Sequence, residues 1–199
     1  VEGVRVINNL NLIINNFDKI AFIGNEIVIT TLFKVLSGEI KPDSGEITYG
    51  SSVILSYFPK NHDSYFESNK NLVEWLMDYS KVKEEQFVRG FLGRMLFSGE
   101  EVLKKVNVLS GGEKVRCMLS KMMLSGANLL ILDEPTDHLD VETITSLNEA
   151  LINFKGAILF STHDHQFIET TANRIIDFKE DGKYIDKMTT YEEFLKLYK

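Results

Sequence analysis

Short apolar runs alternate with segments of helical periodicity along this chain, and this alternation constrains the fold more than any other feature. The runs KIAFIG at 19–24 and NLLILD at 128–133 have the profile of buried parallel strands. VILSYF at 53–58 and AILFST at 157–162 are further strands of this pattern, and an amphipathic segment at 141–154 lies between two of them. The pattern predicts an α/β fold, with a mainly parallel sheet flanked by helices.

A block in the middle of the chain interrupts this alternation. Between about 69 and 107 the apolar residues recur at helical spacing, and 112–124 continues in the same way. We therefore expect a single domain over 1–199, with a helical subdomain of about 64–125 inserted in the α/β core and a small β contribution at the N-terminal side. RIIDF and KYIDK are expected to form closing strands, and TYEEFLKLY a last helix capped by Thr190.

Composition excludes several classes of protein. Of the 199 residues, 44% are hydrophobic, which suffices for a core and excludes a disordered chain. The net charge of −7 disfavours sequence-blind coating of nucleic acids. No apolar run reaches 18 residues and no secretion signal is visible, so we expect no membrane insertion. The single cysteine, Cys117, suits a reducing compartment, and we expect a cytoplasmic location.

The stretch LLILDEP, residues 129–135, carries the strongest chemical signal. Its apolar run ends in two acids, Asp133 and Glu134, at the carboxyl end of a predicted strand, where α/β sheets place their ligands. In a nucleotide-hydrolysing site, Asp133 would hold Mg²⁺ and Glu134 would polarise the attacking water. Taken alone, the pair is equally typical of a solvated acidic turn.

Three further motifs follow the order and spacing of a nucleotide site. LSGGEK, at 109–114, opens a helix whose bare N–H groups and dipole can meet a phosphate. PTDHLD, at 135–140, follows the acids directly, and STHD puts His163 just past the next strand, as a candidate sensor of a terminal phosphate. Each motif alone is modest, but four motifs in this order and spacing are very unlikely by chance.

With these motifs the chain resembles the nucleotide-binding domain of an ABC ATPase, a P-loop NTPase-type fold. LSGGEK corresponds to the signature, LLILDEP to the Walker B strand, TDHLD to the D-loop and His163 to the switch histidine. The stretches LSGEIKPDSGEITYG, LDEPTDHLD and TYEEFL are most similar to the ABC-F group, in particular to a second, C-terminal domain. Asp137 departs mildly from this group, whose members usually have Asn there.

The resemblance implies a function and partners. ABC-F proteins join two such domains in one polypeptide without membrane segments, bind the ribosome with its rRNA and tRNA, and act on translation, some of them in antibiotic resistance. ATP and Mg²⁺ are their cofactors. ATP lies between the phosphate loop of one domain and the signature of another, so this chain needs a second ABC domain or a homodimer. The signature residues that would serve the partner's ATP are Ser110, Gly111, Gly112 and Glu113.

The phosphate loop itself departs from the family. Aligned on TTLF, Thr30 takes the Mg²⁺ position together with Asp133, and Ile29 stands where the lysine belongs. Glu26 and Val28 replace glycines, and the loop is one residue short. The residues predicted to line ATP here are Gly24, Asn25, Glu26, Ile27, Val28, Ile29, Thr30 and Thr31. We therefore expect impaired phosphate chemistry and very weak turnover, since β-branched residues also resist the positive φ values that glycines allow.

Several alternatives remain open at the sequence level. The loop is either degenerate or interrupted by residues missing from the sequence, and the lack of a Tyr or Phe before Arg5 to stack adenine favours the second. A hairpin with an Asn-Glu turn is the purely structural alternative for 19–30. Lys60 takes the place of the Q-loop glutamine, either as a substitute phosphate ligand or as a solvated residue. The rival functions are the ATP-binding subunit of a membrane transporter and a pseudo-ATPase binding module.

Overall fold

A computed structural model describes residues 6–137, 139–180 and 183–198. Within these ranges six strands form one sheet in the order β2-β3-β4-β1-β5-β6, and all neighbours are parallel except the pair β5 and β6. The strands are β1 Lys19–Gly24, β2 Leu55–Phe58, β3 Leu129–Asp133, β4 Ala157–Ser161, β5 Arg174–Phe178 and β6 Tyr184–Lys187. The prediction of a mainly parallel sheet flanked by helices is confirmed.

Helices connect and cover these strands. The helices of the described ranges are α1 Glu26–Ser37, α2 Leu72–Tyr79, α3 Glu85–Arg94, α4 Gly111–Leu124, α5 Val141–Ile152, α6 His165–Thr171 and α7 Tyr191–Tyr198. Short 3₁₀ turns at Asp63–Phe66, Gly99–Leu103 and Val106–Val108 lie between β2 and β3, with α2, α3 and α4. Thr190 accepts a hydrogen bond from the backbone N–H of Glu193, as expected of a cap for α7.

Alternate residues of β1 face two separate apolar cores. Ile20 and Phe22 pack with α1 on one face of the sheet, and Ala21 and Ile23 join the larger core on the other face. Because successive side chains of a strand point to opposite sides, an unbroken apolar run is what a sheet covered on both faces requires. The larger core includes the apolar residues of α2 and α4, so the middle block packs on the sheet face opposite α1.

The predicted small β contribution at the N-terminal side is wrong for the described residues, since 6–18 contain no strand. The apolar side chains of this segment, Val6, Ile7, Leu10, Leu12 and Ile14, pack against the core that contains α1. The segment therefore covers one core with side chains and does not add a strand to the sheet.

The hairpin alternative for 19–30 is also excluded, because the chain turns from β1 straight into α1. Asn25 is the N-cap of α1, and Gly38 ends the helix with a φ of 84°. Parallel order brings the ends of β1, β3 and β4 to one edge, where Asp133 is in register with Ser161. This edge carries the candidate site.

Candidate functional site

Gly24 and Asn25 form the corner between β1 and α1. Gly24 has a φ of 98°, and a Cβ there would lie 2.1 Å from the carbonyl oxygen of Phe178, so only glycine fits. The Asn25 side-chain oxygen accepts hydrogen bonds from the backbone N–H groups of Ile27 and Val28, at 3.0 and 3.3 Å. The Asn25 side chain therefore binds N–H groups that a helix start would otherwise offer to an anion.

The side chains of Val28 and Ile29 are buried in the core on the α1 side, and they do not reach the site. Ile27 is exposed and Thr31 is half-buried. Since α1 begins at Glu26, these residues are helical and none of them needs the positive φ that the loop comparison suggested. The position expected to hold a lysine therefore offers an apolar side chain to the core and no cation to a phosphate.

Asp133 lies at the carboxyl end of β3 in a ring of hydroxyl groups. The hydroxyls of Thr30 and Ser161 each donate to its Oδ1 at 3.2 Å, and that of Tyr57 donates to Oδ2 at 3.4 Å. Burial raises the pKa of Asp133, and these hydrogen bonds oppose the shift. Sequence reasoning brought Thr30 and Asp133 together but missed Tyr57 and Ser161. Their signal was their position near the carboxyl ends of adjacent strands.

Glu134 has a strained backbone and an unsatisfied carboxylate. Its φ is 50°, its backbone N–H donates to the Ser161 hydroxyl at 3.1 Å, and its side chain is buried. The Oε2 atom has no hydrogen-bond partner among the described residues, while Oε1 lies 3.7 Å from Nε2 of His163. Burial raises the pKa of Glu134. A buried, unpaired carboxylate oxygen at a sheet edge is typical of a functional site.

Glu26 joins the side chains of Lys60 and His163 at this edge. Its Oε1 lies 2.9 Å from His163 Nε2 and its Oε2 lies 3.3 Å from the Lys60 ammonium. The hydrogen bond from Lys60 is the main reason why the pKa of Glu26 lies below its ordinary value. Lys60 also lies 3.9 Å from Asp137. The structure thus brings Glu134 and His163 together, as the strand order implied, and adds Glu26 and Lys60 as a bridge between them.

The start of α4 forms a separate arrangement. The Ser110 hydroxyl accepts from the Glu113 backbone N–H, and the Glu113 carboxylate accepts from the Ser110 N–H, which is a capping box. The buried Glu113 carboxylate also binds the Lys104 ammonium at 2.7 Å. The side chain of Glu113 therefore serves the helix start and Lys104, and does not point to a ligand.

The two signature glycines differ in their surroundings. Gly111 is exposed, with open space around its Cα, whereas a Cβ at Gly112 would lie 3.0 Å from the Thr143 hydroxyl and 3.6 Å from Asp140. These contacts belong to the start of α5. Within the described ranges, no hydrogen bond or ion pair joins the signature residues to the Asp133 edge, so the two arrangements are separate. His138, within the expected D-loop, and the segment up to Arg5 lie outside the described residues.

The donor atoms can be tested against the ligands that they imply. Thr30 and Asp133 present hard oxygens side by side, which suits Mg²⁺. By themselves they are too few to hold a metal, and no group of three or more His, Cys, Asp or Glu in the described part of the chain is placed to do so. A triphosphate does not fit the β1–α1 corner as it stands. Asn25 holds the N–H groups, Ile29 is buried and the Glu26 carboxylate adds negative charge.

Comparison with known proteins gives a consistent result. The sequence model of the family described as "ABC transporter" matches residues 7–137. The chain is similar to the "Uncharacterized ABC transporter ATP-binding protein YkpA" of Bacillus subtilis (strain 168), with 61% identity over 98% of this chain and 37% of the relative. It is also similar to the "Energy-dependent translational throttle protein EttA" of Escherichia coli (strain K12), with 38% identity over 84% of this chain and 31% of the relative.

Solved structures share the fold. An archaeal ribosome recycling factor, aABCE1, in complex with the ribosomal stalk protein aP1, superposes with a TM-score of 0.69 and 27% identity, over 86% of this chain and 34% of that chain. The chain spans about a third of the length of the curated relatives that it matches. No helix within the described residues is long and apolar enough to cross a membrane.

Proposed function

The chain belongs to the ABC transporter family of ATP-binding domains, and on this premise we propose that it is one nucleotide-binding domain of an ABC-F-type ATPase that acts in translation. Domains of this family are ATPases. Two such domains would close on ATP, and binding and hydrolysis would be coupled to that closure. We propose that this chain is the second, C-terminal domain of its pair.

The half-site at the start of α4 is the single observation that carries this proposal. The Ser110 hydroxyl binds the Glu113 N–H, whereas the N–H groups of Gly111 and Gly112 have no partner among the described residues, and Gly111 is exposed. The β1–α1 corner, in contrast, is filled by the chain's own side chains. This asymmetry supports a domain that contributes mainly its signature to ATP bound by a partner domain.

At the β1–α1 edge we propose roles in binding and positioning for four residues. Asp133 and Thr30, whose oxygens lie 3.2 Å apart, would supply two of the oxygen ligands of Mg²⁺. Glu134 would orient water and His163 would contact a terminal phosphate, and their 3.7 Å separation supports this pairing. Lys60 pairs with Glu26 at this edge and is 46% exposed, so a phosphate ligand and a solvated loop residue are both open for it.

The link to translation is supported by the relatives. One is named a translational throttle protein, and one structural neighbour was solved with a ribosomal stalk protein. Cosedimentation of the protein with ribosomes through a sucrose cushion tests the link. We expect the protein in the ribosomal pellet in the presence of ATP. Recovery with a membrane partner and absence from the ribosomal pellet would favour the transporter subunit.

A matched pair of variants tests the role of the signature. Ser110 and Ser98 each cap a helix start in a capping box, at α4 and at Gly99–Leu103. Each Ser→Ala change removes one cap, which costs about 1 kcal/mol. We expect only Ser110→Ala to abolish ATP-dependent pairing with a second ABC domain, measured by sedimentation velocity. Equal effects of the two variants would contradict a role of Ser110 in nucleotide binding.

The pseudo-ATPase module remains a second candidate, and the filled β1–α1 corner specifically favours it. It predicts nucleotide-dependent pairing without phosphate release. A coupled assay for released phosphate, run on the same samples as the sedimentation experiment, separates it from the ATPase.

A further inference from the structure

We propose that Glu26 closes the chain's own phosphate site, by placing its carboxylate where the terminal phosphate of a nucleotide would lie between Lys60 and His163. The inference rests on the proposed nucleotide-binding function, because that function identifies the Asp133 edge as a triphosphate site. It goes further by naming a residue that selects against triphosphate at this site.

The first step is the position of the carboxylate. Glu26 is the first residue of α1, directly after the corner formed by Gly24 and Asn25. Its two oxygens each bind one partner, His163 Nε2 at 2.9 Å and the Lys60 ammonium at 3.3 Å. An anionic group held by a histidine and a lysine in front of a helix start is the arrangement that such a site would give to a phosphate.

The second step is the helix start itself. The Asn25 Oδ1 atom accepts from the N–H groups of Ile27 and Val28, so Asn25 and Glu26 together supply an oxygen for the helix start and a carboxylate for Lys60 and His163. Two consecutive residues of the chain, Asn25 and Glu26, thus occupy both the helix start and the side chains of Lys60 and His163. A nucleotide would have to displace both of them.

The third step is the charge at this edge. Two further acids lie beside the same side chains: Glu134 is 3.7 Å from His163 and Asp137 is 3.9 Å from Lys60. With Glu26 bound, Lys60 and His163 are shared among carboxylates and have little attraction left for a phosphate. Glu26 is therefore the residue whose removal frees positive charge for a ligand.

The contact is also displaceable. The side chains of Glu26, Lys60 and His163 are 51%, 46% and 69% exposed, and ion pairs of this exposure are weak because water and salt screen them. Glu26 therefore competes with a phosphate for Lys60 and His163 and does not seal the site permanently. Competition of this kind acts most strongly on the terminal phosphate, so it distinguishes ATP from ADP.

Isothermal titration of the protein with Mg²⁺–ATP and with Mg²⁺–ADP tests the proposal. We expect Glu26→Gln, which keeps the shape and removes the charge, to raise the affinity for ATP about 10-fold or more, and the affinity for ADP by less. Glu192→Gln is the matched control. Glu192 lies in the first turn of α7 and pairs with Lys196 at 2.6 Å, so this variant removes the same charge from a helix start away from the site.

The outcomes are distinct. Unchanged or lower ATP affinity in Glu26→Gln, or an equal rise in both variants, would overturn the proposal. An equal rise for ATP and ADP would also refute it, because the competition would then not concern the terminal phosphate. A second readout is independent of nucleotide: the ring resonances of His163 in nuclear magnetic resonance spectra should shift in Glu26→Gln and stay in place in Glu192→Gln.

The test separates this inference from the proposed function. If ribosome binding fails while Glu26→Gln gains ATP affinity, the translational function is wrong and the role of Glu26 stands. If ribosome binding is observed while Glu26→Gln behaves as the unmodified chain, the role of Glu26 is wrong and the translational function stands.

Discussion

Gly24 is the position where the structure makes its sharpest energetic prediction. It ends β1 with a φ of 98°, and its Cα faces the end of β5. In Gly24→Ala, the new Cβ would lie 2.1 Å from the carbonyl oxygen of Phe178 and 2.7 Å from the Asp177 carboxylate. Neither contact is tolerable, so β1 and β5 would have to separate locally. That movement would strain the hydrogen bond from the Asn25 N–H to Phe178, which is 3.1 Å long.

Gly38 provides the control that isolates the steric part of this cost. It also has a positive φ, 84°, but a Cβ there would have no neighbour within 4 Å. Gly38→Ala should therefore cost only the backbone term, about 1–2 kcal/mol. Gly24→Ala adds an overpacking term of about 1–3 kcal/mol and a weakened hydrogen bond of about 1 kcal/mol. We expect Gly24→Ala to be the more destabilising of the two by about 2 kcal/mol or more.

Urea unfolding followed by tryptophan fluorescence measures both variants. Trp75 is the only tryptophan of the chain, its side chain is buried, and its ring lies 5.1 Å from that of Phe66, so its emission reports loss of the core. The difference in free energy of unfolding between the two variants is the quantity to compare. A difference below about 0.5 kcal/mol, which is the usual scale of a neutral substitution, would refute the steric reasoning at the end of β1.

Three further predictions concern stability, pH and turnover. Arg174→Ala should lower the free energy of unfolding in urea by about 3–5 kcal/mol, because it leaves the buried Asp18 carboxylate without the guanidinium that now lies 3.1 Å away. Lys196→Ala removes one partner of an exposed ion pair and should cost below about 1 kcal/mol. Equal costs of the two variants would contradict this. Burial lowers the pKa of Lys121 to about 8 from 10.5. As pH rises, the folded chain therefore loses the Lys121 proton before the unfolded chain does, and the free energy of unfolding increases between about pH 8 and 10.5. Lys121→Met should remove this increase from unfolding curves measured across the same pH range. Finally, phosphate release from Mg²⁺–ATP should be about 10²–10³-fold slower than in a relative with the loop lysine, and a robust Mg²⁺-dependent rate that Glu134→Gln abolishes would contradict this.

Short-range patterns predicted the elements well. The apolar runs of β1, β3 and β4 became strands because each is covered on both faces. The starts of α4 and α7 followed local signals at Ser110 and Thr190, whose effects reach only a few residues. The expected β contribution near the N-terminus is absent from residues 6–18, because an apolar pattern does not reveal whether a segment packs by its side chains or pairs by its backbone.

In the candidate site, too, the sequence predicted what depends on neighbouring residues, and the tertiary structure decided the contacts between distant ones. The sequence alone determined that Asp133 and Glu134 end a buried strand, because that depends on residues next to each other in the chain. Only the tertiary structure decided that Glu26 meets His163, 137 positions away, and that Ile29 turns into a core. Those outcomes depend on strand order and on which face of α1 the sheet covers, and both are set by packing between distant segments.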